Sequence, residues 1–371
     1  MATIDGSSAK QQENPRQTRK SWRVVIERFP VRKTILGILS IAIIYGVVVG
    51  TTKTLALGLF DADDWISFTI QGLARGAVYA LIALGYTLVY GILLIINFAH
   101  GEVFMAGAYT AFFVAMGLAG QGFLNAQPVL SLLILFAVSA AVSTAVALIL
   151  EKVAYRPLRG KPRLVPLITA IGASLFLQYT FRGFYGASAR AYPEIGVLAG
   201  TVNMLGITVQ KRQLLVIAGA TLLWLVLFLF IERTKTGRAM RAVGEDREIA
   251  ALMGVDVDRT IRITFAIGGA LAGAAGILFV QIFNQVTFAM GVLPGLKAFT
   301  AAVLGGIGSI TGAALGGVIL GLMEAVGPNL FLTGLVPSPN QLVDLVAFGI
   351  LVLVLIFKPG GFLGAPEEKR A

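Results

Sequence analysis

Long runs of uncharged residues most strongly constrain how this chain can fold. A helix that crosses a bilayer needs about 20 mainly apolar residues, and several runs near that length contain no Asp, Glu, Lys, Arg or His. These runs are residues 34–52, 76–99, 129–150, 164–181, 214–231 and 263–283. Only 13% of the chain is charged, against about 25% in soluble domains. The pattern predicts an all-α, polytopic integral membrane protein with about 8–10 transmembrane helices.

One uncharged run near the C-terminus is interrupted by glycine. Residues 298–323 are too short for two spans and long for one, and "GGIGSITG" divides them. We expect a broken or re-entrant element, which a membrane protein tolerates where protein covers the freed backbone. Its glycines are Gly305, Gly306, Gly308 and Gly312.

Small residues also recur at four-residue spacing, which lets helix backbones approach closely. Such pairs serve packing within one subunit, the interpretation favoured here, or a contact between subunits. The pairs are Gly269 with Gly273, Gly312 with Gly316, and Gly317 with Gly321.

The positive charges are distributed unevenly between alternate loops. Of the 30 Lys and Arg residues, 23 lie in residues 1–33, 151–163, 232–262 and after 357. The positive-inside rule therefore predicts that both termini are cytoplasmic. The same distribution accounts for the net charge of +11 without a nucleic-acid partner, which is the alternative that such a charge raises.

Several kinds of chemistry are excluded by the residues that the sequence lacks. The chain has no cysteine and one histidine, which excludes zinc sets, Cys–His pairs and H-E-x-x-H proteases. It also has no G-x-x-x-x-G-K-[ST] loop to hold ATP phosphates. We predict no catalytic residue, no metal site and no cofactor.

The stretch "IINFAHGEVFMAG" places the single histidine and a carboxylate between two long apolar runs. We interpret Asn97, His100, Gly101 and Glu102 as a polar clasp at a tight turn between membrane segments, close to a gate. In this interpretation Asn97 and His100 pair with stranded backbone groups, Gly101 permits a positive φ, and Glu102 begins the next helix. The alternative is that His100 and Glu102 bind the amino group of a ligand.

The loop 232–262 contains a short amphipathic helix in "GEDREIAALMG". Asp246 lies at its start, where the helix dipole favours an acid. Ile249, Leu252 and Met253 share one face, and Gly254 is placed to end the helix. The apolar face must be buried, either on the membrane domain and lipid or on a cytosolic partner.

Five longer stretches, in order along residues 66–364, carry a family resemblance. They are "YALIALGYTLVYGILLIINFAHGEVFMAGAY", "VAYRPLRGKPRLVPLITAIGASLFLQ", "GRAMRAVGEDREIAALMGVDVDR", "KAFTAAVLGGIGSITGA" and "KPGGFLG". They resemble the permease subunit of ABC importers for branched-chain, or hydrophobic, amino acids. The related urea permeases read Met at Phe98 and lack "GYTLVYG". Urea or short-amide transport, and less strongly an ion-coupled amino-acid transporter, are the alternatives.

The resemblance implies that the chain is one subunit of a multi-subunit transporter. A homologous second permease would complete the pore, two cytosolic ATP-binding subunits would bind the ATP, and an extracytoplasmic binding protein would deliver an amino acid. The chain itself would be a multi-pass protein of the bacterial inner membrane, without enzymatic activity. The E-x-A-x-x-x-G spacing resembles the ATPase-coupling loop, whose residues here would be Gly237, Arg238, Glu248, Ile249, Ala250, Leu252, Met253 and Gly254.

The resemblance also divides the chain into regions. We predict a basic cytoplasmic tail at 1–33, an extra N-terminal span with its outer loop at 34–64, an ABC-importer permease domain at 65–364, and a C-terminal tail at 365–371. Many relatives begin near residue 64, and Arg75 stands where they carry an apolar residue. Either the helix starts near Trp65 and contains Arg75, or residues 66–74 lie at the interface and the span begins at Gly76.

Overall fold

A computed structural model describes residues 31–162, 164–204, 207–358 and 360–364. The predicted tails at 1–33 and 365–371 thus lie almost wholly or wholly outside the described residues. In the described part, the helices are α1 Val31–Leu57, α2 Ala62–Leu93, α3 His100–Gly120, α4 Phe123–Ala126, α5 Pro128–Leu150, α6 Leu164–Tyr185, α7 Lys211–Arg233, α8 Lys235–Glu245, α9 Arg247–Leu252, α10 Val257–Phe283, α11 Val292–Gly305, α12 Ile310–Gly327 and α13 Val343–Phe357.

Eight helical segments of the described residues are long and apolar enough to cross a membrane. They contain α2, α3, α5, α6, α7, α10, α12 and α13. The segment from α5 continues through a π turn at Glu151–Tyr155 and a 3-10 turn at Arg156–Leu158, and that from α12 continues through a π turn at Pro328–Leu332. The predicted all-α, polytopic membrane fold is confirmed.

Strands are short and form two antiparallel pairs. β1 Arg190–Ala191 pairs with β4 Gln285–Val286, which joins the connections that follow α6 and α10. β2 Thr201–Met204 pairs with β3 Ile207–Gln210 in a hairpin that precedes α7. These pairs tie connecting segments together and leave the helical architecture unchanged.

The core is built around α2, which packs against α12 through glycine. A Cβ added at Gly321 would lie 2.2 Å from the Gly76 nitrogen, and one at Gly317 would lie 2.4 Å from the Ala80 nitrogen. The two backbones are therefore in direct contact, as four-residue spacing of small residues permits. These glycines serve packing within the chain, the favoured of the two predicted roles.

The second glycine pair packs α10 against α5 in the same way. A Cβ at Gly273 would lie 2.4 Å from the Ser139 carbonyl oxygen, and one at Gly269 would lie 2.8 Å from the Ser143 carbonyl oxygen. The Ser139 hydroxyl donates to the Gly273 carbonyl oxygen at 2.7 Å. A hydrogen bond between helices adds to the close packing that glycine allows.

The predicted break near the C-terminus is present between α11 and α12. Gly306 and Gly308 have φ of 104° and 97°, a region that glycine adopts without steric cost. Ser309 then caps α12, accepting from the Gly312 N–H at 3.1 Å. The backbones of Gly305 and Gly312 are in contact across the break.

The two sides of this break differ in length. α11 has 14 residues and is about 21 Å long, too short for a hydrocarbon core of about 30 Å. The segment Ile310–Leu332 has 23 residues and is long enough to cross. Of the predicted alternatives, a broken element is therefore the one that fits, and its second half is long enough to span because α12 continues through a π turn beyond the uncharged run.

The end of the described chain closes the break. The N–H groups of Phe362 and Leu363 donate to the carbonyl oxygens of Leu304 and Gly305, both at 2.9 Å. The last carbonyls of a helix have no partner within the helix, so the "KPGGFLG" segment satisfies two of those of α11.

The helix α1 contains the predicted extra span at residues 34–52. It packs near the π turn after α12, where the Gly334 N–H donates to the Thr54 hydroxyl at 3.0 Å. α2 then begins with a capping box, in which the Asp61 carboxylate accepts from Asp64 N–H at 2.9 Å and the Asp64 carboxylate accepts from Asp61 N–H at 3.1 Å. The crossing itself stays a prediction.

A reporter fused after Asp64 tests that crossing. Because residues 34–52 are uncharged and follow a basic segment, the positive-inside rule expects the reporter on the extracytoplasmic side. Paired alkaline phosphatase and green fluorescent protein fusions measure its side in whole cells. A fluorescent cytoplasmic fusion that lacks phosphatase activity would show that this run does not cross.

Candidate functional site

The amphipathic helix predicted in the long loop is α9, and its ends follow the predicted chemistry. The Asp246 carboxylate accepts from the N–H groups of Glu248 at 2.8 Å and Ile249 at 2.9 Å. Gly254 has a φ of 84°, and the Val255 N–H donates to the Ala250 carbonyl oxygen at 3.0 Å. This is a Schellman ending, so Gly254 ends the helix as the sequence predicts.

The helix α9 is anchored on the end of α2. The Arg247 guanidinium donates to the Ile92 carbonyl oxygen through Nε at 3.0 Å and through Nη2 at 2.5 Å. Burial, and then the nearby positive charge of Arg159, lower the pKa of Arg247, which as an arginine stays charged. Ala250 faces inward and is 3% exposed. The Arg247 side chain thus links α9 directly to the end of α2.

The preceding helix α8 is packed on the end of α7. The Thr234 hydroxyl accepts from the Gly237 N–H at 3.0 Å. Gly237 packs on the Ile231 backbone, since a Cβ added at Gly237 would lie 2.2 Å from the Ile231 carbonyl oxygen. Arg238 and Glu248 are exposed. Of the predicted coupling residues, Gly237 and Ala250 therefore support the fold.

The outer face of α9 is apolar and uncovered. Leu252 is 87% exposed, Met253 is 80% exposed and Ile249 is 60% exposed. Ile249, Leu252 and Met253 are the three residues that the sequence places on one face. Three large apolar side chains grouped on a helix outside the membrane segments mark a contact surface.

Next to α9 lies an ion-pair network that sequence reasoning missed. Arg156 pairs with Asp258 at 2.9 Å, and Arg159 pairs with both Asp258 and Glu151. The network joins the turn after α5 to the first turn of α10. The basic stretch "VAYRPLRG" indicates that this turn is charged. Its partner Asp258 lies 102 residues from Arg156 along the chain, so no local sequence pattern predicts the ion pair.

The stretch around His100 enters the interior of the bundle. α2 ends at Leu93, and Leu94 takes a left-handed conformation with φ of 54°. The His100 imidazole then lies against Gly85, where an added Cβ would be 2.1 Å from Nε2. Gly85 lies about 12 Å from the end of α2. The first turn of α3 therefore lies beside the middle of α2.

The predicted clasp residues are brought together with different partners from those expected. The Asn97 side chain accepts from the Tyr155 hydroxyl at 2.5 Å instead of pairing with stranded backbone. The His100 imidazole contacts the backbone of Ile82 and meets the Tyr86 ring edge-on, with centroids 4.9 Å apart. Asn97 and His100 therefore join the α2–α3 connection to its neighbours.

Gly101 has a packing role in this structure. It lies in the first turn of α3 and is absent from the positive-φ residues of the described chain, so the expected left-handed conformation was wrong. A Cβ at Gly101 would lie 2.3 Å from the Gly291 carbonyl oxygen. The glycine is required because α3 and the start of α11 cross in backbone contact.

Glu102 faces a different side of α3 from His100. It is 1% exposed, and its Oε1 accepts from the Ser174 hydroxyl at 3.4 Å. It lines a cavity of about 410 Å³ between α3, α6 and α11, together with Tyr86 and Gln178. The structure thus separates the two residues that the sequence grouped.

A second charge cluster joins four helices. Lys297 on α11 pairs with Glu324 on α12 and with Asp344 on α13, the latter at 2.7 Å. The Tyr79 hydroxyl on α2 donates to Glu324 at 2.8 Å. Their pairing compensates the cost of charge inside the bundle.

Arg75 lies within α2, which is continuous from Ala62 to Leu93. Its side chain is half-buried, and the guanidinium lies 5.9 Å from the centre of the Phe283 ring. Of the two alternatives for this segment, a helix that begins before Arg75 is the one observed. An aromatic face stabilises a cation at that distance.

Substitutions of His100 test the clasp interpretation. Because the imidazole is packed against Gly85 and the Tyr86 ring, the clasp interpretation gives it a structural role. We expect His100→Gln, which keeps a donor and an acceptor, to retain much of the transport activity. We expect His100→Leu to lower the yield of folded protein. The measurements are uptake per folded protein and yield by fluorescence-detected size exclusion.

A well-folded His100→Gln variant without substrate-stimulated transport would contradict the clasp interpretation. It would give His100 a direct role in the translocation pathway.

The sequence is similar to known proteins of one transport family. The family model described as branched-chain amino acid transport system / permease component matches residues 68–355. The high-affinity branched-chain amino acid transport system permease protein BraD of Pseudomonas aeruginosa is 45% identical over 304 residues, 81% of this chain and 96% of that protein. The corresponding proteins named LivH of Salmonella typhimurium and Escherichia coli are each 40% identical over 303 residues, with the same coverage.

A solved ABC transporter in an inward-facing conformation has 15% sequence identity and a TM-score of 0.41, and the match covers 88% of this chain and 99% of that one.

Proposed function

The chain belongs to the family of branched-chain amino acid transport system permease components, and from this we propose that it is the membrane-spanning subunit of an ABC importer for branched-chain amino acids. Its proposed work is to form part of the translocation pathway and to change conformation when ATP is hydrolysed elsewhere. The protein is located in the bacterial inner membrane, which it crosses several times.

The observation that carries the coupling part of the proposal is the exposed apolar face of α9. Leu252 and Met253 are at least 80% exposed, whereas Arg247 of the same helix is bonded to the end of α2. An ATPase subunit that covers this face would move α9 and, through Arg247, the central helix α2. Anchoring on one side and exposure on the other are what a transmitting helix requires.

The proposed assembly contains further subunits. A homologous second permease completes the pathway, two cytosolic ATP-binding subunits dock on the α9 helices, and an extracytoplasmic binding protein delivers the amino acid. The ATP is bound by the partner subunits, since the sequence has no phosphate-binding loop. The chain therefore needs no cofactor of its own and catalyses no reaction.

The predicted orientation supports this arrangement. The segment 232–262 holds seven Lys and Arg residues, and the positive-inside rule assigns such a segment to the cytoplasm. That places the apolar face of α9 on the side where ATP-binding subunits are found.

Substrate-stimulated ATP hydrolysis tests the proposed substrate class. The chain is purified with its partner subunits in lipid nanodiscs, and ATPase activity is measured with binding protein and each candidate substrate. We expect stimulation by leucine, isoleucine and valine and none by urea or acetamide. Stimulation by urea or acetamide alone would replace the proposed function with its nearest alternative.

A further inference from the structure

The cavity beside Glu102 has the size and composition of a small-molecule site. Its volume of about 410 Å³ lies within the range of ligand pockets, about 300–1,000 Å³. Phe98, Ile171 and Leu296 contribute apolar walls, and Ser174 and Gln178 contribute polar groups. Ile171 is 46% exposed, so the cavity is open on the side of α6.

Among the described residues, no cation pairs with the Glu102 carboxylate. The residue is 1% exposed, its Oε2 has no hydrogen-bond partner, and Oε1 has a single long bond from Ser174. The ion pairs between described residues do not include Glu102. A carboxylate buried inside a membrane bundle is costly unless it is paired, and an ammonium group is a suitable partner.

Beside Glu102 lies the N-terminus of α11, which favours a negative charge. The start of α11 lines the same cavity through Gly291, Val292 and Gly295, and within the described chain no side chain caps this helix. The N–H groups of Val292 and Gly295 already donate to the carbonyl oxygens of Ala289 and Gly291, at 3.2 Å and 2.9 Å. The start of α11 therefore favours a carboxylate through the partial positive charge of its helix dipole. Half-helix N-termini inside a membrane protein can bind the anionic group of a substrate in this way.

Glu102 and the N-terminus of α11 are adjacent in the structure. Glu102 follows Gly101, which touches Gly291: a Cβ at Gly291 would lie 3.1 Å from the Glu102 nitrogen. The ammonium and carboxylate of an α-amino acid are attached to one carbon atom, so a site for both must hold its two recognition groups side by side. The apolar walls then remain for the side chain.

We propose that this cavity binds the transported amino acid, with its ammonium on Glu102, its carboxylate at the N-terminus of α11 and its branched side chain against Phe98, Ile171 and Leu296. This proposal rests on the proposed function and adds a substrate site within the permease. It separates Glu102, which contacts the substrate, from His100, which lies against Gly85 outside the cavity lining.

Ligand-induced thermal stabilisation tests the site without the binding protein. The complex of the chain with its partner subunits is placed in nanodiscs, and its Tm is measured with leucine, with 4-methylpentanoate, which lacks the amino group, and with leucinamide, which lacks the carboxylate. We expect leucine to raise the Tm of the wild type most, and each analogue to raise it less.

Two variants at one position isolate the charge. Glu102→Gln keeps the size of the side chain, and we expect it to weaken the apparent affinity for leucine about tenfold or more and to remove the preference for leucine over 4-methylpentanoate. Glu102→Asp keeps the charge on a shorter side chain, and we expect it to retain that preference. The Tm without ligand and the elution profile establish that each variant is folded.

The outcomes separate this site from the proposed function. If leucine-loaded binding protein does not stimulate the wild-type ATPase, the proposed function is wrong and the site falls with it. If stimulation occurs but leucine leaves the wild-type Tm unchanged, the site alone is wrong. Equal leucine affinity in wild type and folded Glu102→Gln, or a wild type that binds 4-methylpentanoate as tightly as leucine, also overturns the site.

Discussion

Leu252→Asp is expected to reduce ATP-driven uptake about tenfold or more while the protein remains in the membrane at its normal amount. Leu252 is 87% exposed on α9, so the substitution removes no contact within the chain. On an ATPase, the same side chain would lie in an apolar contact, where an unpaired carboxylate is costly. Uptake into proteoliposomes and the ATPase activity of the same samples are measured together.

Leu252→Met is the matched control, because it keeps an apolar side chain of similar size. We expect it to transport at close to the wild-type rate. Co-purification of the ATP-binding subunits with each variant shows whether docking itself is lost. Normal uptake by Leu252→Asp would remove the face formed by Ile249, Leu252 and Met253 from the coupling interface.

Gly321→Leu is expected to abolish the folded protein almost completely. A Cβ at Gly321 would lie 2.2 Å from the Gly76 nitrogen and 2.5 Å from the Gly72 carbonyl oxygen, so the clash is with backbone that cannot move aside. Overpacking of a core costs up to about 3 kcal/mol where side chains can adjust, and backbone contact raises that cost. Yield and Tm by size exclusion of a fluorescent fusion give the effect.

Gly117→Leu provides the comparison on the same chain. Gly117 is an exposed helical glycine of α3 with nothing within 4 Å of an added Cβ. We expect this variant to fold with nearly the wild-type yield. A Gly321→Leu variant with wild-type yield and Tm would show that α2 and α12 do not pack through their glycines in the folded protein.

Local chemistry made parts of the structure predictable. The ends of α9 follow from Asp246 and Gly254, because caps depend on residues within one or two turns. The number and length of most spans follow from the uncharged runs, since each spanning helix must satisfy its own backbone hydrogen bonds inside the bilayer. The break at Gly306 and Gly308 follows from the need for positive φ, although sequence gave no means of predicting that α12 would continue through a π turn.

Tertiary placement explains what the sequence could not show. The start of α3 beside Gly85 depends on a path of the chain that no local pattern records. The pairs of Lys297 with Glu324 and of Asn97 with Tyr155 join residues on different helices. Glu102 and His100 are two positions apart, yet one lines a cavity and the other packs against α2, because neighbouring residues of a helix point in different directions.

ATP-driven accumulation of leucine in proteoliposomes tests the account most directly. The chain is reconstituted with its homologous permease, the ATP-binding subunits and the binding protein, with equal ion concentrations on both sides of the membrane. The account predicts that radiolabelled leucine accumulates only when ATP is supplied to the subunits on the α9 side. Accumulation that proceeds without ATP on an imposed proton or sodium gradient would contradict it.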